Sequence, residues 1–516
     1  MQKDPVEHKP WYNSATAIVL LSLLIPPVGL ALLWYSPGFE TQRKILGSLL
    51  IAAITGGYVF LAFGGVLRSS RKPDTESHYD EVERHRAQQR VSGADTSPAN
   101  DGGASAAVAP AANSAVATDK TESGAKFSKS SRNYWTDFRG PNRDGRYDEM
   151  PVLKQWPETG LSPLWRQPIG GGYSSFTVAE GRAYTIEQRR RREIVAAYDL
   201  ESGRELWTHA WDAEFAEEMG DGPRATPTWN EGRLYALGAT GVLHCIESKS
   251  GKLVWSRDVL KENGASNLQW GTAASPLVVD NKVIVAPGGP SGRSVVAYNK
   301  VTGSPVWQSL SDRPSYTSPM LATLAGKRQV LVVTAARVVG LDVDAGTFLW
   351  GISWDTQMGI NVSQPIVVNE NRFFISAGYG KGAALVEITS AESGFAAKNI
   401  WQNNSMKNKF NSSVLHNGHV YGLDEGILTC VNVETGERKW KGGRYGYGQV
   451  LLAGDRLIVM SDAGELALVK AAPEQYTELS KFPALEGKCW NYPAIANGLL
   501  LVRNQTQMAC YNIAAR

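Results

Sequence analysis

Apolar and polar positions follow one another along this 516-residue chain in a pattern that changes near residues 68 and 134. Two continuous apolar stretches come first. "NSATAIVLLSLLIPPVGLALLWY" lies in a span without charge between Lys9 and Glu40, and "ILGSLLIAAITGGYVFLAFGGVL" is uncharged from Ile45 to Leu67. Each stretch is long enough to cross a bilayer as a helix. The pattern therefore predicts a membrane anchor over residues 1–67, with transmembrane helices at about 14–35 and 45–67.

The first of these stretches contains Pro26, Pro27 and Gly29 in its middle. These residues predict a kinked helix, or a segment that enters the membrane without crossing it cleanly. A cleavable signal peptide is the alternative interpretation. We favour the anchor because the stretch lacks a basic start and an A-x-A-like site, and because a second apolar stretch follows at once.

Residues 68–133 have a different composition, rich in Ala, Ser, Gly and Pro, as in "SGADTSPANDGGASAAVAPAANSAVATDK". No aromatic residue occurs between Tyr79 and Phe127. Such a segment buries too little apolar surface to offset the entropy of ordering it. We therefore predict a disordered linker over residues 68–133, with a reach of about 45 Å for roughly 60 flexible residues.

From Tyr134 onward the chain repeats one short hydrophilic hairpin between apolar strands. One copy is "VNVETGERKW" at residues 431–440, and the others are "YDLESGRELW", "IESKSGKLVW", "YNKVTGSPVW" and "LDVDAGTFLW". In every copy a Gly stands four residues before a Trp. The repeat residues are Gly203 and Trp207, Gly251 and Trp255, Gly303 and Trp307, Gly346 and Trp350, and Gly436 and Trp440.

Each half of this Gly–Trp repeat has a physical role. A type I hairpin turn that ends in a left-handed residue favours Gly at that position, because a Cβ there is penalised. The Trp lies on the next strand, and its large apolar body predicts burial against the neighbouring unit.

A short [S/T]-x-P-like strand start forms a second repeat in phase with the hairpins. It marks eight units, spaced by 36–51 residues, at Phe176, Pro227, Pro276, Pro319, Pro365, Val414, Val450 and Pro493. Four short strands per unit at this period predict an all-β fold, an eight-bladed β-propeller over residues 134–516. A β-sandwich, the alternative, would not require in-phase copies. The last unit lacks its outer strand, so we expect "LSPLWRQPI", with Trp165, to complete that blade and close the ring.

Charge and cysteine content limit the possible functions. The 53 basic residues nearly balance the 50 acidic ones, so no electrostatic case for nucleic-acid binding arises. The run "RRRR" at 189–192 falls in a predicted hairpin turn, where we expect a solvated loop. Cys245, Cys430 and Cys510 occupy one equivalent strand position, which predicts inert core thiols.

The hairpins "ESGRELW" and "ETGERKW", the [S/T]-x-P strands and the lead-in "WTDFRGPNRDG" together resemble the pyrroloquinoline-quinone-repeat propellers. The resemblance covers Tyr134 to the C-terminus and implies one of two functions. Quinoprotein alcohol dehydrogenases of this superfamily hold the quinone and calcium in the central channel, against a vicinal Cys-Cys disulfide. A non-catalytic branch includes the propeller lipoprotein of the outer-membrane β-barrel assembly machine.

The predicted channel-lining positions bear on this choice. Calcium prefers six to eight oxygen ligands, several of them carboxylates, and alcohol oxidation needs a carboxylate base. The two predicted rings of channel-lining residues stand three and four positions before each strand marker. Neither ring contains a carboxylate, and no two cysteines are adjacent. We therefore predict no catalytic residue, cofactor or metal site. The alternative is an alcohol dehydrogenase-like oxidoreductase that depends on pyrroloquinoline quinone and calcium.

A binding function agrees better with these positions, since aromatic rings and neutral polar groups would crowd one mouth of the channel. The predicted binding residues are Tyr173, Arg224, Trp270, Tyr316, Asn361, Asn411, Tyr447 and Trp490. A plug without a ligand is the alternative interpretation of the same residues. We predict a monomeric, membrane-anchored binding or assembly scaffold of the bacterial cell envelope, with a protein partner.

The two signals for the side of the membrane disagree. Basic residues lie before, between and after the apolar stretches, so a positive-inside count favours a cytoplasmic propeller. The family resemblance and the long Ala/Ser/Pro-rich segment favour the periplasm. We predict the periplasmic side of the inner membrane, with the cytoplasmic side as the alternative.

Overall fold

The computed structural model describes residues 26–36, 40–52, 75–94 and 134–515. The chain divides into two compact units at Thr75. The first unit contains helix α1 (Pro26–Tyr35) and helix α2 (residues 41–52). Leu33 and Ile51 pack together in it, and Trp34 Nε1 donates to Ser48 Oγ at 3.0 Å.

Both predicted transmembrane helices fall largely outside the described residues, which cover only 26–35 of the first and 45–52 of the second. In the part of the chain that the structure describes, no helix has the length and apolarity to cross a membrane. The two spans therefore stay predictions.

The second unit is a ring of eight sheets, each a blade of four antiparallel strands, and in blades 1 to 7 these four strands run in chain order from the centre outward. This confirms the predicted eight-bladed β-propeller. Blades 1 to 4 consist of β3 (Thr177–Ala179), β4 (Arg182–Arg189), β5 (Arg192–Asp199) and β6 (Glu205–Asp212); β7 (Thr228–Asn230), β8 (Arg233–Leu237), β9 (Val242–Glu247) and β10 (Leu253–Asp258); β11 (Leu277–Val279), β12 (Lys282–Val285), β13 (Val295–Asn299) and β14 (Pro305–Ser309); and β15 (Met320–Leu324), β16 (Lys327–Val333), β17 (Arg337–Asp342) and β18 (Phe348–Ser353).

Blades 5 to 8 repeat the same arrangement, with two additions from the N-terminal side. They consist of β19 (Ile366–Val367), β20 (Arg372–Ala377), β21 (Gly382–Ala391) and β22 (Gly394–Asn403); β23 (Val414–His416), β24 (His419–Asp424), β25 (Ile427–Asn432) and β26 (Arg438–Arg444); β27 (Gln449–Ala453), β28 (Arg456–Met460), β29 (Glu465–Lys470) and β30 (Glu478–Pro483), with β1 (Arg146–Tyr147) parallel to β27; and β31 (Ala494–Ala496), β32 (Leu499–Arg503), β33 (Gln507–Asn512) and β2 (Pro163–Pro168).

Strand β2 closes the ring, as the sequence predicted. It pairs antiparallel with β33, with Trp165 opposite Cys510, and so supplies the fourth strand of blade 8. The innermost strand of blade 1 then lies beside that of blade 8. Because β2 covers β33, the C-terminal strand has no open sheet edge.

Two structural features require Gly in these turns: the backbone has a positive φ, and a side chain there would collide with a Trp ring. Gly203 has φ +69°, and a Cβ on it would lie 2.6 Å from the Trp165 ring of the preceding blade. Trp165 Nε1 also donates to Leu200 O at 3.1 Å, so Trp165 docks on the turn of the next blade. The same contact joins Trp207 to Gly251, Trp255 to Gly303, Trp307 to Gly346 and Trp401 to Gly436.

Trp350 is an exception to this arrangement. Its Nε1 donates to Gln329 Oε1 at 2.6 Å within its own blade, and its ring stacks on Phe373 of blade 5. The blade 5 hairpin lacks the repeat Gly, and Trp401, which stands outside the repeated motif, docks on Gly436 instead.

Cys245, Cys430 and Cys510 are core thiols, as predicted. All four cysteines are free and buried. Burial raises the pKa of the Cys245 thiol to about 11 and the pKa of the Cys430 and Cys510 thiols to about 12, so these groups are neutral thiols near pH 7.

The predicted disordered linker contains a helix, α3 (Thr75–Ala94), so the prediction of disorder is wrong for residues 75–94. Tyr79, Val82 and Arg86 recur at helical spacing and are buried on the propeller. Because residues 68–133 have a low overall apolar content, their composition did not predict this short stripe of buried positions. The remainder of that segment lies outside the described residues.

Arg86 attaches α3 to the joint between blades 8 and 1. Its guanidinium donates to Gln167 Oε1 at 2.6 Å and to Pro168 O at 2.7 Å, both on the closing strand β2. It also lies 3.4 Å from the carboxylate of Glu205 and 5.0 Å from the ring centre of Tyr198, both in blade 1. The helix therefore ties the two blades together where the ring closes.

The basic run at 189–192 also differs from the predicted solvated loop. It does form the β4–β5 turn, but Arg190 extends to α3, where it forms ion pairs with Glu76, Asp80 and Glu83. Arg189 is largely buried and lies 2.5 Å from the carboxylate of Glu187. Arg190 therefore helps to hold α3 on the propeller, whereas Arg191 and Arg192 are exposed.

Candidate binding site

Aromatic side chains converge at one end of the central channel, which we call the mouth, in loops that lead into the innermost strands. Tyr173 stacks on Trp490 with ring centres 5.6 Å apart and planes inclined by 27°. The ring centre of Phe410 lies 5.0 Å from that of Tyr447, in an edge-on contact, and 5.1 Å from that of Trp490, in a tilted contact. Together with Lys409 and Lys488, these four aromatic residues form what we call the mouth cluster.

The two lysines place positive charge on these rings. Lys409 Nζ lies 4.9 Å from the ring centre of Tyr447 and donates to its hydroxyl at 3.3 Å. Lys488 Nζ lies 4.2 Å from the ring centre of Trp490 and 5.7 Å from that of Tyr173. Both geometries are cation–π contacts, which favour the ammonium group over the ring face.

Arg224 holds one side of the mouth in place. Its guanidinium lies 4.4 Å from the ring centre of Phe215 and 5.5 Å from that of Tyr173. It pairs with Glu217 at 2.9 Å and donates to Gly220 O at 2.6 Å. Burial lowers the pKa of Arg224. Since its donors are used within the loop, Arg224 acts as a support for Tyr173.

The structure brings some of the predicted mouth residues together and separates others. Trp270 and Tyr316 form a second pair of rings, with centres 5.7 Å apart. Asn361 and Asn411, however, are buried. The amide of Asn361 donates to Thr334 O at 2.9 Å, and these two residues do not form part of the mouth surface.

The sequence prediction missed the lysines and Phe410. Lys409 and Lys488 each stand five residues before a strand marker, Val414 and Pro493. This shared register would have found the lysines, but none of the predicted binding residues stands five positions before a marker.

The opposite end of the channel is filled by residues 137–145. Arg143 is buried there and donates to backbone carbonyls of two blades, at 3.1 Å to Ser275 O and 2.8 Å to Pro319 O, and also to Pro276 O. Its carboxylate partner Asp137 lies 3.2 Å away. The lead-in "WTDFRGPNRDG" is therefore an internal plug that joins blades across the channel.

Arg139 extends the plug to other blades. It donates to Ser413 O in the blade 6 loop at 2.7 Å and to the Tyr492 hydroxyl near blade 8 at 3.3 Å. Gly145 has φ +75°, and a Cβ on it would lie 2.5 Å from the Arg139 guanidinium. Gly is needed there because of both the backbone conformation and this close approach.

A chain of hydrogen bonds links the innermost strands between the mouth and the plug. The N–H of Ser175 donates to Thr226 Oγ1 at 3.0 Å, and the N–H of Thr226 donates to Ser275 Oγ at 2.9 Å. Ser275 continues to Ser318 Oγ, and Ser318 to Gln364 Oε1, each at 2.8 Å. These polar residues all stand one position before a strand marker, which explains the repeated polar strand start.

A separate polar group is buried between blades 1 and 2. Glu193 Oε1 accepts the N–H of Ala239 at 2.8 Å, whereas Oε2 is buried without a hydrogen-bond partner among the described residues. His244 stacks on Trp211 with ring centres 4.4 Å apart. Burial raises the pKa of Glu193 to about 7 and lowers the pKa of His244 to about 4.

We expect Glu193→Gln to become more stabilising as the pH rises. The pKa of Glu193 is raised on folding from 4.5 to about 7, so its contribution to stability is present below pH 4.5 and is lost as the pH rises through 7. The free energy of unfolding of the variant, minus that of the wild type, should rise by about 2–3 kcal/mol between pH 5 and pH 8, at about 1.4 kcal/mol per pKa unit.

Urea unfolding of both proteins at several pH values measures this difference. Both proteins retain His244, whose opposite pH dependence therefore cancels. The exposed Glu392→Gln is the matched control, and its difference should stay flat with pH. A flat difference for Glu193→Gln as well would contradict the buried neutral carboxyl.

Comparison with known proteins agrees with this architecture. Residues 191–442, from blade 1 to blade 6, match the family model described as "Outer membrane protein assembly factor BamB". The chain carries a PQQ-repeat β-propeller. It is 21% identical over 306 residues to BamB of Bordetella pertussis, across 52% of this chain and 74% of that protein.

Two solved structures have a similar fold. BamB from Moraxella catarrhalis is 17% identical, with a TM-score of 0.50 over 68% of this chain and 99% of that one. Quinohemoprotein alcohol dehydrogenase from Comamonas testosteroni is 13% identical, with a TM-score of 0.52 over 74% of this chain and 81% of that one. At these identities the likeness shows the β-propeller fold alone.

The side chains at this propeller's mouth do not match the donors that a calcium-bound quinone requires. Glu217 is engaged by Arg224, and Asp462 accepts the N–H of Tyr447 at 2.9 Å. Among residues 26–36, 40–52, 75–94 and 134–515, no group of three or more His, Cys, Asp or Glu is arranged to hold a metal ion. Burial raises the pKa of Cys489, the cysteine nearest the mouth in sequence, to about 12.

Proposed function

We propose that this protein is a non-catalytic binding or assembly scaffold of the bacterial cell envelope and that a protein partner docks at the mouth cluster. The mouth cluster carries the proposal, because four aromatic rings and two lysines meet at one end of a channel whose other end is filled by residues 137–145. The family described as an outer-membrane protein assembly factor supports an assembly role.

The mouth cluster has the properties of a protein-binding surface. Tyr173, Tyr447 and Trp490 are partly exposed, and Met219 beside them is 47% exposed. Large rings that are held in place but still partly hydrated release water when a partner covers them, and Trp and Tyr dominate binding energy at protein interfaces.

We propose further that the propeller is a monomer on the periplasmic side of the inner membrane, anchored by the apolar segments 14–35 and 45–67. The outer-membrane role of the matched family supports this side. The cytoplasmic side is the alternative. Alkaline phosphatase fused after Arg516 should be active, whereas fluorescence from a fluorescent protein that matures only in the cytosol would contradict the proposal.

A strain without this protein tests the assembly role. We expect the abundance of outer-membrane β-barrel proteins to fall several-fold and to recover with the wild-type chain. Tyr447→Ala with Trp490→Ala should fail to restore it, because these rings supply the docking surface. Phe348→Ala is the control, since Phe348 is 49% exposed on an outer strand away from the mouth. Unchanged abundance in the deletion strain would contradict the proposal.

Enzyme activity is tested separately with the purified full-length protein. Pyrroloquinoline quinone, calcium, alcohols and a dye acceptor are added, and we expect neither stoichiometric quinone binding nor dye reduction. Observation of both would contradict the non-catalytic assignment and favour the quinoprotein dehydrogenase.

A further inference from the structure

The structure assigns Tyr79 of helix α3 a positioning role at the mouth: it braces the two loops that carry Tyr173 and Met219. We call these loops, residues 169–173 and 213–223, the mouth wall. The inference goes beyond the proposed function, because it concerns what holds the mouth in shape and not what binds there. It takes from the proposed function only the place of the binding surface.

Helix α3 contacts the mouth wall through two consecutive side chains near its start. Tyr79 is buried there. A Cβ on Gly171 would lie 3.6 Å from the Tyr79 hydroxyl oxygen and 3.8 Å from Asp221 O, so the hydroxyl lies where the two loops of the mouth wall meet. At the preceding position, His78 Nε2 donates to Ile169 O at 2.8 Å. The start of α3 is therefore packed directly on the mouth wall.

Gln188, on β4, connects Tyr79 to both loops. Its side-chain amide hydrogen-bonds to the Tyr79 hydroxyl, and its Oε1 accepts the N–H of Phe215 at 2.8 Å. Its backbone N–H donates to Gly171 O at 2.7 Å, and its backbone carbonyl accepts the N–H of Gly171 at 2.9 Å. Burial raises the pKa of Tyr79 to about 12, so the hydroxyl is protonated near pH 7. Because Gln188 is itself buried, loss of this hydroxyl would leave its amide with one partner fewer, at a cost in stability.

The two loops of the mouth wall are bonded to each other and to the side chain of Tyr173. The N–H of Tyr173 donates to Pro223 O at 2.8 Å, and its hydroxyl donates to Met219 O. Within the second loop, the N–H of Gly222 donates to Phe215 O at 2.8 Å. A displacement of either loop would therefore move Tyr173 relative to the other rings of the mouth cluster.

The contact of Tyr79 differs from the other attachments of α3. Arg86 and Arg190 hold the helix on blades 8 and 1, and their partners on β2, β6 and α3 lie outside the mouth wall. Tyr79 therefore links the docking of α3 to the order of the mouth wall. Displacement of the helix would loosen the wall, and a partner that covers the wall would, by thermodynamic reciprocity, favour the docked helix.

Hydrogen–deuterium exchange of the full-length protein, followed by mass spectrometry, tests the inference without a partner. Tyr79→Phe keeps the ring and removes the hydroxyl, so peptides from the mouth wall should exchange about 3–10-fold faster. Peptides from residues 75–94 should keep the wild-type rate, because the packing of α3 is retained. Tyr79→Ala also removes the ring, and exchange of the mouth wall should then rise by about 10-fold or more.

Three comparisons separate positioning from a general loss of stability. Arg84→Ala, at an exposed position of α3, is the matched control and should leave all exchange rates unchanged. Residues 445–449, in the blade 7 loop of the mouth, should exchange at the wild-type rate in every variant. In a Gln188→Leu background, Tyr79→Phe should have no further effect, because the link is already broken. Unchanged exchange of the mouth wall in both Tyr79 variants, equal acceleration at 445–449, or additive effects of the two substitutions would overturn the inference.

The exchange result is distinguishable from a test of the proposed function. Faster exchange of the mouth wall in Tyr79→Phe, with unchanged outer-membrane protein levels in the deletion strain, would support the positioning role and overturn the assembly role. Wild-type exchange in both Tyr79 variants, with a fall in those levels, would support the assembly role and overturn the positioning role.

Discussion

Replacement of Arg143 by methionine should lower the free energy of unfolding by about 3–5 kcal/mol, because it breaks a buried ion pair on one side only. Asp137 would lose its partner at 3.2 Å, and the carbonyls of Ser275, Pro276 and Pro319 would lose their donor. Burial already raises the pKa of Asp137, and Arg143 opposes that rise. Urea unfolding monitored by tryptophan fluorescence measures the loss.

Two further variants show whether the plug causes this effect. Arg191→Met is the control, since Arg191 is 85% exposed and its pair with Glu214 is a surface contact, which should cost less than about 0.5 kcal/mol. Adding Asp137→Asn to Arg143→Met removes the stranded charge and should recover about 1–2 kcal/mol. A loss for Arg143→Met no larger than that of Arg191→Met would show that the plug does not hold the blades together.

Deletion of residues 161–170 should lower the melting temperature by about 10 °C or more, since the loss of the Trp165 contact alone costs about 3–5 kcal/mol. The deletion removes β2, leaves β33 as an open edge and takes away the bond from Trp165 to Leu200 O. It also removes the partners of α3 on β2, so limited proteolysis should cut within residues 76–94.

A deletion of equal length at 101–110, outside the described residues, is the control for the shortened chain. It should leave both the melting temperature and the protease pattern of residues 76–94 unchanged. If the variant without β2 melted at the wild-type temperature, closure of the ring between the two ends of the propeller would not be a source of its stability.

The repeated units could be predicted because their determinants are local. Gly203 and the four other turn glycines have a backbone conformation that the hairpin itself imposes. Trp165 and Trp307 have large apolar rings that are buried wherever they dock. The in-phase strand starts then placed Tyr173, Tyr447 and Trp490 at one mouth, and these three do lie in one cluster.

Contacts between segments far apart in the sequence could not be predicted from local patterns. Arg143 and Pro319 lie 176 positions apart and are joined by one hydrogen bond, and nothing in the lead-in motif indicates which carbonyls Arg143 will contact. Helix α3 was missed for the same reason, since Arg86 finds Gln167 81 positions later. Asn361 and Asn411 were placed at the mouth by register, but their burial depends on how deeply each loop folds into the channel.

The sequence by itself determined the blade number, the strand order within each blade and the closing strand, because turn conformation and the period of apolar positions act over a few residues. Only the tertiary structure decided that the channel is plugged at one end, that α3 ties blades 8 and 1 together, and that Lys409 and Lys488 lie on the rings of the mouth. These features depend on desolvated charges meeting partners from other blades, and the geometry of the closed ring sets which partners are within reach.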